Sequence, residues 1–415
     1  KAWSAKWLEE SGINTIATEV EENADGTIAS LTLNQTAPAE HPVLRPHRLA
    51  VGFYDEDPAT GKIVRTDRFE LDVDGESTVV AAAAGKKRPA FILVNDDDLT
   101  YTKLRFDADS LSFALANLQR FDDALARAVV WLSLWDMTRD GDLAAEKFID
   151  TTLALLATET ESTTFRYALS CMSTTAWHYT APDRRADVVK HVAKELWKLV
   201  IAAPGGSDQQ FQLVTAYLGY GEEGDAEFAE HAQGLFDGSL IVAGLEIDNN
   251  FTWTIINALS SVKLIDQAGI DAQLAKRDTT ENREFALGAH AVRGDAAAKE
   301  WAWIEALNNA DLTNMQLEAV ARGFGATPRP DLAEPYAAKY YDVVDWVWKN
   351  KSFHMAEALL EGLYPYYADP ATLVELGHRW LADHEDADNA LKRIVRGNVE
   401  SSQRTLKVRD FNAAL

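Results

Sequence analysis

The chain has almost no cysteine, since Cys171 is the only one among 415 residues. An intrachain disulfide and a thiolate metal cluster are therefore excluded. Because disulfides are typical of oxidising compartments, the sequence predicts a protein of a reducing compartment, the cytoplasm. Long apolar runs are missing as well. None reaches the roughly 18 residues that a membrane-spanning helix needs, so no membrane partner is expected.

Basic residues are in deficit. The chain has 40 Lys and Arg against 65 Asp and Glu, which gives a formal net charge of −25. Such a charge creates a potential that repels phosphate backbones and anionic lipids. The composition therefore predicts no nucleic-acid partner, and solubility is the preferred explanation of the acidity.

No His-Glu-x-x-His sequence occurs in the chain. In that motif two histidines one helical turn apart bind zinc, and the glutamate acts as a base. The nearest match is 384–388, where Asp388 replaces the second histidine, and a solvated acidic helix start is the preferred interpretation. His354 and Glu357 share a predicted helix face, but this spacing is common on ordinary helices. The sequence therefore predicts no metal-binding residue and no metal cofactor in this chain.

Two other candidates for chemistry also have ordinary interpretations. Cys171 lies in an apolar stretch, which is typical of an inert buried thiol. Residues 219–224 have the spacing Gly-x-Gly-x-x-Gly, but they follow a helix-like stretch and contain two glutamates that would repel a phosphate. A loop between helices is the favoured interpretation, so no catalytic residue is predicted.

Hydrophobic alternation at period two predicts β-strands before residue 105. Turn-forming stretches, such as Asp57-Pro58-Ala59-Thr60-Gly61, separate these segments and favour antiparallel pairing. Residues 15–103 are therefore predicted to form a small antiparallel β-sandwich. The segments with the clearest alternation are 30–33, 49–53, 69–73 and 91–94.

Helical periodicity begins at Asp109, and Leu111, Leu115 and Leu118 share one helix face. Short polar loops between the segments favour antiparallel neighbours, and no strict repeat period is visible. The prediction is a multidomain chain in which residues 104–415 form a large, irregular, all-α superhelical domain of the HEAT or armadillo kind. Further predicted helices are 143–157, 163–178, 185–202, 208–218, 254–266, 296–308, 313–323, 333–348, 353–363, 371–383 and 387–412.

Residues 93–107, with the sequence LVNDDDLTYTKLRFD, resemble the NDDDLTYxKxRxD segment of bacterial aminopeptidase N proteins. The resemblance covers residues 1 to about 160 through specific blocks, and the rest through helix content alone. It is to the third and fourth domains of these zinc metallopeptidases, the gluzincins. The other similar blocks are 7–16, 33–35 with 44–54, and 126–131 with 136–141.

The resemblance implies a monozinc enzyme that removes N-terminal residues from peptides. Its saddle and catalytic domains would lie upstream of Lys1, and residues 1–14 would be the end of that catalytic domain. The family's zinc helix and its Gly-x-Met-Glu-Asn loop, which holds the substrate amine, are both absent here. Zinc is therefore expected in the parent enzyme, and this chain alone is expected to be inactive. Its implied partners are the upstream catalytic domain of the same polypeptide and peptide substrates.

The family's helical domain closes over the catalytic domain and forms a chamber for the substrate. The resemblance thus makes polar and aromatic groups near helix ends candidates for lining that chamber. These are Gln316, Arg322 and Phe324 around the helix end at 321–325, and Asn250 in a predicted turn at 249–253. Capping and core packing are the alternative roles for all four.

Three functions are compatible with the sequence. The favoured one is a silent C-terminal portion of a cytoplasmic zinc aminopeptidase, which shapes and caps the substrate chamber. The second is a free-standing α-solenoid scaffold that binds a protein or peptide. The third is a free-standing hydrolase whose site has no sequence signature.

Overall fold

The computed structural model describes residues 2–415, with side chains from Ser4 onward. The chain divides into two compact units, the first ending at Thr175 and the second comprising Ala176–Ala414. Among the described residues, no helix combines the length and the apolar character that crossing a bilayer requires.

The seven strands found among residues 2–415 all lie in the first unit, in two sheets. One sheet has the order β5-β2-β1-β7 and the other β4-β3-β6, and every pairing is antiparallel except the parallel pair β1 and β7. The four predicted strand segments are confirmed within β2, β3, β4 and β6, whereas β1, β5 and β7 were not singled out. The strands are β1 Thr15–Glu22, β2 Ile28–Thr36, β3 His47–Glu56, β4 Ile63–Val73, β5 Ser77–Val79, β6 Phe91–Val94 and β7 Lys103–Arg105.

Helices make up the rest of the chain and confirm the predicted large α-helical part. Those of the first unit are α1 Ala2–Leu8, α2 Ala108–Asn117, α3 Ala124–Asp140, α4 Ala145–Leu156 and α5 Ser162–Thr174. Those of the second unit are α6 Arg185–Ala202, α7 Asp208–Leu218, α8 Ala226–Asp237, α9 Asn249–Ser261, α10 Gln267–Lys276, α11 Thr280–Val292, α12 Ala296–Asn308, α13 Asn314–Gly325, α14 Pro330–Ala333, α15 Ala337–Asn350, α16 Phe353–Gly362, α17 Pro370–Asp383 and α18 Asn389–Ala413.

The change from strands to helices and the division between the units fall at different places. The last strand ends at Arg105, but α2 to α5 belong to the same unit as the sheets. A domain boundary at 103/104 therefore marks a change of secondary structure. The assignment of 1–14, 15–103 and 104–415 to three domains stays a prediction.

Many helices begin with an aspartate whose side chain accepts hydrogen bonds from the first-turn backbone N–H groups. A carboxylate at this position satisfies orphan donors and interacts favourably with the helix dipole. Part of the acidic composition therefore has a local structural use. The aspartate N-caps are Asp107, Asp123, Asp225, Asp248, Asp266, Asp295, Asp369 and Asp388.

The acidic part of the segment that carries the resemblance forms a tight, internally bonded loop after β6. Asn95 has a positive φ of 60° and closes the loop, since its amide donates to Thr100 O and its Oδ1 accepts from Thr100 N. Asp96 is 1% exposed and accepts hydrogen bonds from the Tyr54 hydroxyl at 2.6 Å and from Arg65 Nη1 at 2.7 Å. These residues therefore have a structural role in the first unit.

The basic part of the same segment ties β7 to the end of α3. Lys103 Nζ and Arg105 Nη2 each lie 2.6 Å from Asp140 Oδ2, and Arg105 Nε donates to Asp142 at 2.8 Å. These charges are partly buried, so solvent screens them less than an exposed pair. The basic part of the motif thus joins β7 to the first long helix.

A buried ion pair fixes the other end of α3. Arg127 Nε donates to Glu159 Oε2 at 2.8 Å and Nη2 donates to Oε1 at 3.1 Å, while Nη1 donates to Phe121 O. The side chains are only 10% and 1% exposed. Glu159 Oε1 also accepts from the backbone N–H groups of Thr160 and Glu161. Each nitrogen of the guanidinium and both oxygens of the carboxylate are therefore engaged inside the first unit.

A buried lysine joins α11 to α13 in the second unit. Lys299 is 2% exposed, and its Nζ donates to Ala291 O at 2.7 Å and to Gly323 O and Phe324 O at 3.2 Å. It also donates to the hydroxyl of Thr327. The last carbonyls of a helix have no intrahelical partner and carry partial negative charge. One side-chain amino group thus contacts the C-terminal ends of two neighbouring helices.

Candidate functional site

A cleft opens between α9, α11 and α13 of the second unit, next to one of the predicted site residues. Its volume is about 330 Å³ and its walls are mainly apolar. Concave apolar surfaces with a few polar groups are the usual form of ligand sites. The residues that define it are Asn257 on α9, Phe285 and Val292 on α11, and Met315, Ala319 and Arg322 on α13.

Glycines set the close packing of α11 and α13 at the base of this cleft. A Cβ added at Gly323 would lie 2.6 Å from Gly288 O and 2.8 Å from Ala291 Cβ. Gly362 on α16 is equally close, because its added Cβ would lie 2.8 Å from Ala321 Cβ. Small residues therefore let the backbones of three helices approach each other around Arg322.

Substituting Gly323→Ala is expected to lower the free energy of unfolding by about 1–3 kcal/mol, because the added methyl group must displace backbone. Gly397→Ala is the matched control. Gly397 is exposed within α18 and an added Cβ meets no atom within 4 Å, so this change should stabilise by roughly 0.5–1 kcal/mol. Chemical denaturation measures both variants. A neutral or stabilising effect at Gly323 would contradict the close packing described for α11 and α13.

Arg322 lies on the exposed side of α13, between the cleft and a second recess against α16. The second recess has a volume of about 470 Å³ and an acidic lining that includes Glu318, Glu357 and Glu361. Among residues 4–415, Arg322 forms no hydrogen bond or ion pair. Its guanidinium is therefore available to a ligand in either recess.

The other three predicted site residues do not line the cleft. Gln316 closes a capping box at the start of α13, where it accepts from Thr313 N at 3.0 Å. Phe324 is 5% exposed and packs edge-on against Tyr336, 4.9 Å between ring centroids. Asn250 is exposed and lies two helical turns before the cleft residue Asn257, on the same face of α9. The structure thus brings only Arg322 to the cleft, and the chamber roles of all four residues stay predictions.

The predicted turn at 249–253 is wrong, because these residues are the first turn of α9. Asp248 acts as its N-cap and accepts a hydrogen bond from Phe251 N at 2.7 Å. The adjacent asparagines suggested a turn, but an aspartate directly before them is an equally good helix start.

The residues present do not fit zinc. His384 Nδ1 donates to Trp380 O at 2.7 Å, and its Nε2 lies 2.8 Å from Asp345 Oδ2. His354 is engaged with Glu318 at 3.1 Å. Within residues 4–415 no group of three or more His, Cys, Asp or Glu side chains has a geometry that could hold a metal ion. No step of a metal-dependent reaction can therefore be assigned to these residues.

The thiol of Cys171 is equally unsuited to nucleophilic chemistry. It is 3% exposed, and burial raises its pKa to about 12. With this pKa the thiol is protonated at neutral pH. Only the thiolate form is a good nucleophile.

One group of side chains escaped the sequence analysis. Arg185, His178, Tyr367 and Arg409 lie together in the second unit, and Arg409 Nε donates to His178 O at 2.7 Å across 231 sequence positions. No motif links them, because they come from four separate segments of the chain.

The comparisons with known proteins agree with the resemblance. The family model for the ERAP1-like C-terminal domain matches residues 91–404. A protein of Streptomyces lividans named Aminopeptidase N is 35% identical over 420 residues, which cover 100% of this chain and 48% of the relative. The chain thus spans about half the length of this curated relative. The resemblance to the C-terminal half of an aminopeptidase N is confirmed, and the chain belongs to the ERAP1-like C-terminal domain family.

Proposed function

We propose that this chain is the non-catalytic C-terminal portion of a cytoplasmic, zinc-dependent aminopeptidase that removes N-terminal residues from peptides. The match to Aminopeptidase N carries the proposal, because it extends over the whole chain yet covers about half of the relative. The missing His-Glu-x-x-His sequence supports it, since the zinc and the catalytic residues would then belong to the upstream part of the parent polypeptide.

The second part of the proposal is that the predicted helical domain, residues 104–415, shapes and caps a chamber for the peptide. Residues 1–14 would complete the catalytic domain, 15–103 would form the connecting sandwich, and 104–415 would form the cap. Arg322 is the proposed contact to the peptide, because its guanidinium has no internal partner and borders two recesses. Gln316 and Phe324 would hold the two ends of α13, and Asn250 would extend the polar face of α9.

The intact mass of the endogenous protein, captured from its source cells, tests the first part. We expect a mass well above 45.9 kDa and a chelator-sensitive release of N-terminal residues from a chromogenic amide. The 415-residue chain alone should release none. A cellular mass equal to that of this chain, without such activity, would contradict the proposal and favour a free-standing binding scaffold. Peptidase activity of the isolated chain would instead indicate a hydrolase site within it.

Substituting Arg322→Gln in the endogenous, longer protein tests the second part. Loss of a charge-assisted hydrogen bond to the peptide should lower kcat/KM for a peptide of several residues by about 10-fold. The kcat/KM for a single-residue chromogenic amide should not change, because that substrate is too short to reach the cap. Arg379→Gln is the control, since Arg379 is exposed on α17 and paired with Glu375. An equal loss on both substrates would contradict a contact to the peptide beyond its first residue.

A further inference from the structure

Two arginines of the second unit lie close together without a carboxylate partner. Arg185 is the first residue of α6, and Arg409 lies near the end of α18 with 9% of its surface exposed. Among residues 4–415, Arg185 forms no hydrogen bond or ion pair, and its Nε is buried without an acceptor. Arg409 uses Nε for His178 O, and neither Nη atom has a partner. The unpaired Nε of Arg185 is costly, because a desolvated donor remains unsatisfied.

Buried arginines elsewhere in the chain are satisfied. Arg127 has the bidentate partner Glu159, and Arg45 donates to three backbone carbonyl oxygens. The contrast shows that this fold neutralises or bonds a buried guanidinium where its role is structural. It also makes the pair of Arg185 and Arg409 exceptional within a chain of net charge −25.

The electrostatics of the two groups agree with their proximity. Burial, together with the repulsion from Arg185, lowers the pKa of Arg409 to about 10. Burial also lowers the pKa of Arg185, and the nearby carboxylate of Glu222 offsets only part of this effect. The carboxylate of Asp369 acts in the opposite direction and raises the pKa of Arg409, but it already accepts two hydrogen bonds from Thr372. The local potential is therefore positive, and the first turn of α6 adds to it.

Two further donors adjoin the arginines. The rings of His178 and Tyr367 stack with 4.7 Å between centroids and an interplanar angle of 25°. Burial lowers the pKa of His178 to about 3 and raises that of Tyr367 to about 12, so the imidazole is neutral and the phenol protonated at pH 7. Neither side chain has a hydrogen-bond partner among the described residues. Both rings are half-buried, so solvent reaches part of each ring.

We propose that Arg185, Arg409, Tyr367 and His178 form a binding site for a small oxyanion, a carboxylate or a phosphate. The site combines two planar guanidinium groups with the phenol O–H of Tyr367 and one imidazole N–H of His178, a set of donors that is the complement of an anion with two or more oxygens. Such an anion would supply the missing negative charge and accept from the unpaired Nη groups of Arg409. The assignment is independent of the aminopeptidase proposal.

The test compares the wild-type chain with Arg185→Met at constant ionic strength. Arg185 makes no internal hydrogen bond, so the variant should fold and match or exceed the wild-type Tm in chloride alone. Saturating inorganic phosphate, or an N-acetylated peptide with a free C-terminal carboxylate, should raise the wild-type Tm by about 5 °C. Arg185→Met should lose this shift, and calorimetry should show an affinity at least 10-fold lower. Arg379→Gln, the exposed control, should keep the wild-type shift.

Comparing different ligands in this experiment distinguishes a peptide carboxylate from a phosphate group. A shift with the peptide acid but not with the corresponding C-terminal amide identifies a peptide carboxylate, whereas a shift with phosphate alone identifies a phosphate group. Tyr367→Phe should weaken either interaction by about 3- to 10-fold without lowering the Tm in chloride. The proposal is overturned if no anion raises the wild-type Tm, or if wild type and Arg185→Met respond equally.

Discussion

Replacing Lys299 with methionine is expected to lower the free energy of unfolding by about 3 kcal/mol or more. Methionine fills nearly the same volume but donates no hydrogen bond, so three carbonyl oxygens and the Thr327 hydroxyl lose their shared donor in a buried place. An unsatisfied buried polar group costs about 1–3 kcal/mol, and these four are close enough to be affected together. Chemical denaturation followed by circular dichroism measures the loss.

Lys339→Met is the control for this substitution. Lys339 is about half exposed, and its ion pair with Glu300 is long, at 3.4 Å. Exposed pairs contribute at most about 1 kcal/mol. Equal losses at Lys299 and Lys339 would contradict the role of Lys299 in joining α11 to α13.

The effect of Lys299 should depend on pH. Burial lowers the pKa of Lys299 to about 7, against an ordinary value of 10.5 in the unfolded chain. Between these values the unfolded chain binds more protons than the folded one, so the contribution of Lys299 to stability rises with pH. The difference between wild type and Lys299→Met should therefore be larger at pH 9.5 than at pH 6. A constant difference would show that the surrounding carbonyl oxygens hold the pKa near its ordinary value.

Arg127→Met is expected to cost about 3–5 kcal/mol, since it leaves the carboxylate of Glu159 buried without its counter-charge. The double variant Arg127→Met/Glu159→Gln should recover part of this loss, because no buried charge remains. The two single variants and the double variant form a cycle that gives the coupling between the side chains. Arg283→Met is the control, because its ion pair with Asp278 is more than half exposed.

The coupling between Arg127 and Glu159 should disappear in acid. Burial alone would raise the pKa of Glu159, but hydrogen bonds from Arg127 and from Glu161 N lower it below 4.5. A depressed carboxylate pKa stabilises the fold above the unfolded value and stops doing so as pH falls through the folded value. The penalty of Arg127→Met should therefore shrink below pH 4.5. An unchanged penalty at pH 3 would contradict an ionised, paired Glu159.

The fold class could be predicted because the hydrophobic pattern is strong where large side chains form the core. The alternation at 49–53 lies in β3, and residues 185–202 and 208–218 are α6 and α7 with the predicted bounds. Helix α11 lay outside the predicted ranges, since its buried face consists largely of Ala286, Ala289 and Ala291. Alanine and glycine give a weak hydrophobic signal, although they are what allows close packing here.

The candidate site was only partly predictable. Arg322 and Phe324 are two positions apart, yet one is exposed beside a cleft and the other lies in the core, because α12 and Tyr336 cover only one face of α13. The capping role of Gln316 did have a signal, since Thr313-x-x-Gln316 is a capping-box sequence. The pairing of Arg185 with Arg409 had none, because tertiary packing alone brings α6 and α18 together.

The parallel pairing of β1 with β7 has a consequence for synthesis of the chain. Thr15 pairs with Lys103, so the outer edge of β1 cannot be covered until 88 further residues have been made. At a synthesis rate of about 5–20 residues per second, this edge is open for roughly 4–18 s. An open strand edge is a template for pairing with another chain. The slow closure of this sheet therefore makes β1 a strand whose edge needs protection at the ribosome until β7 has been made.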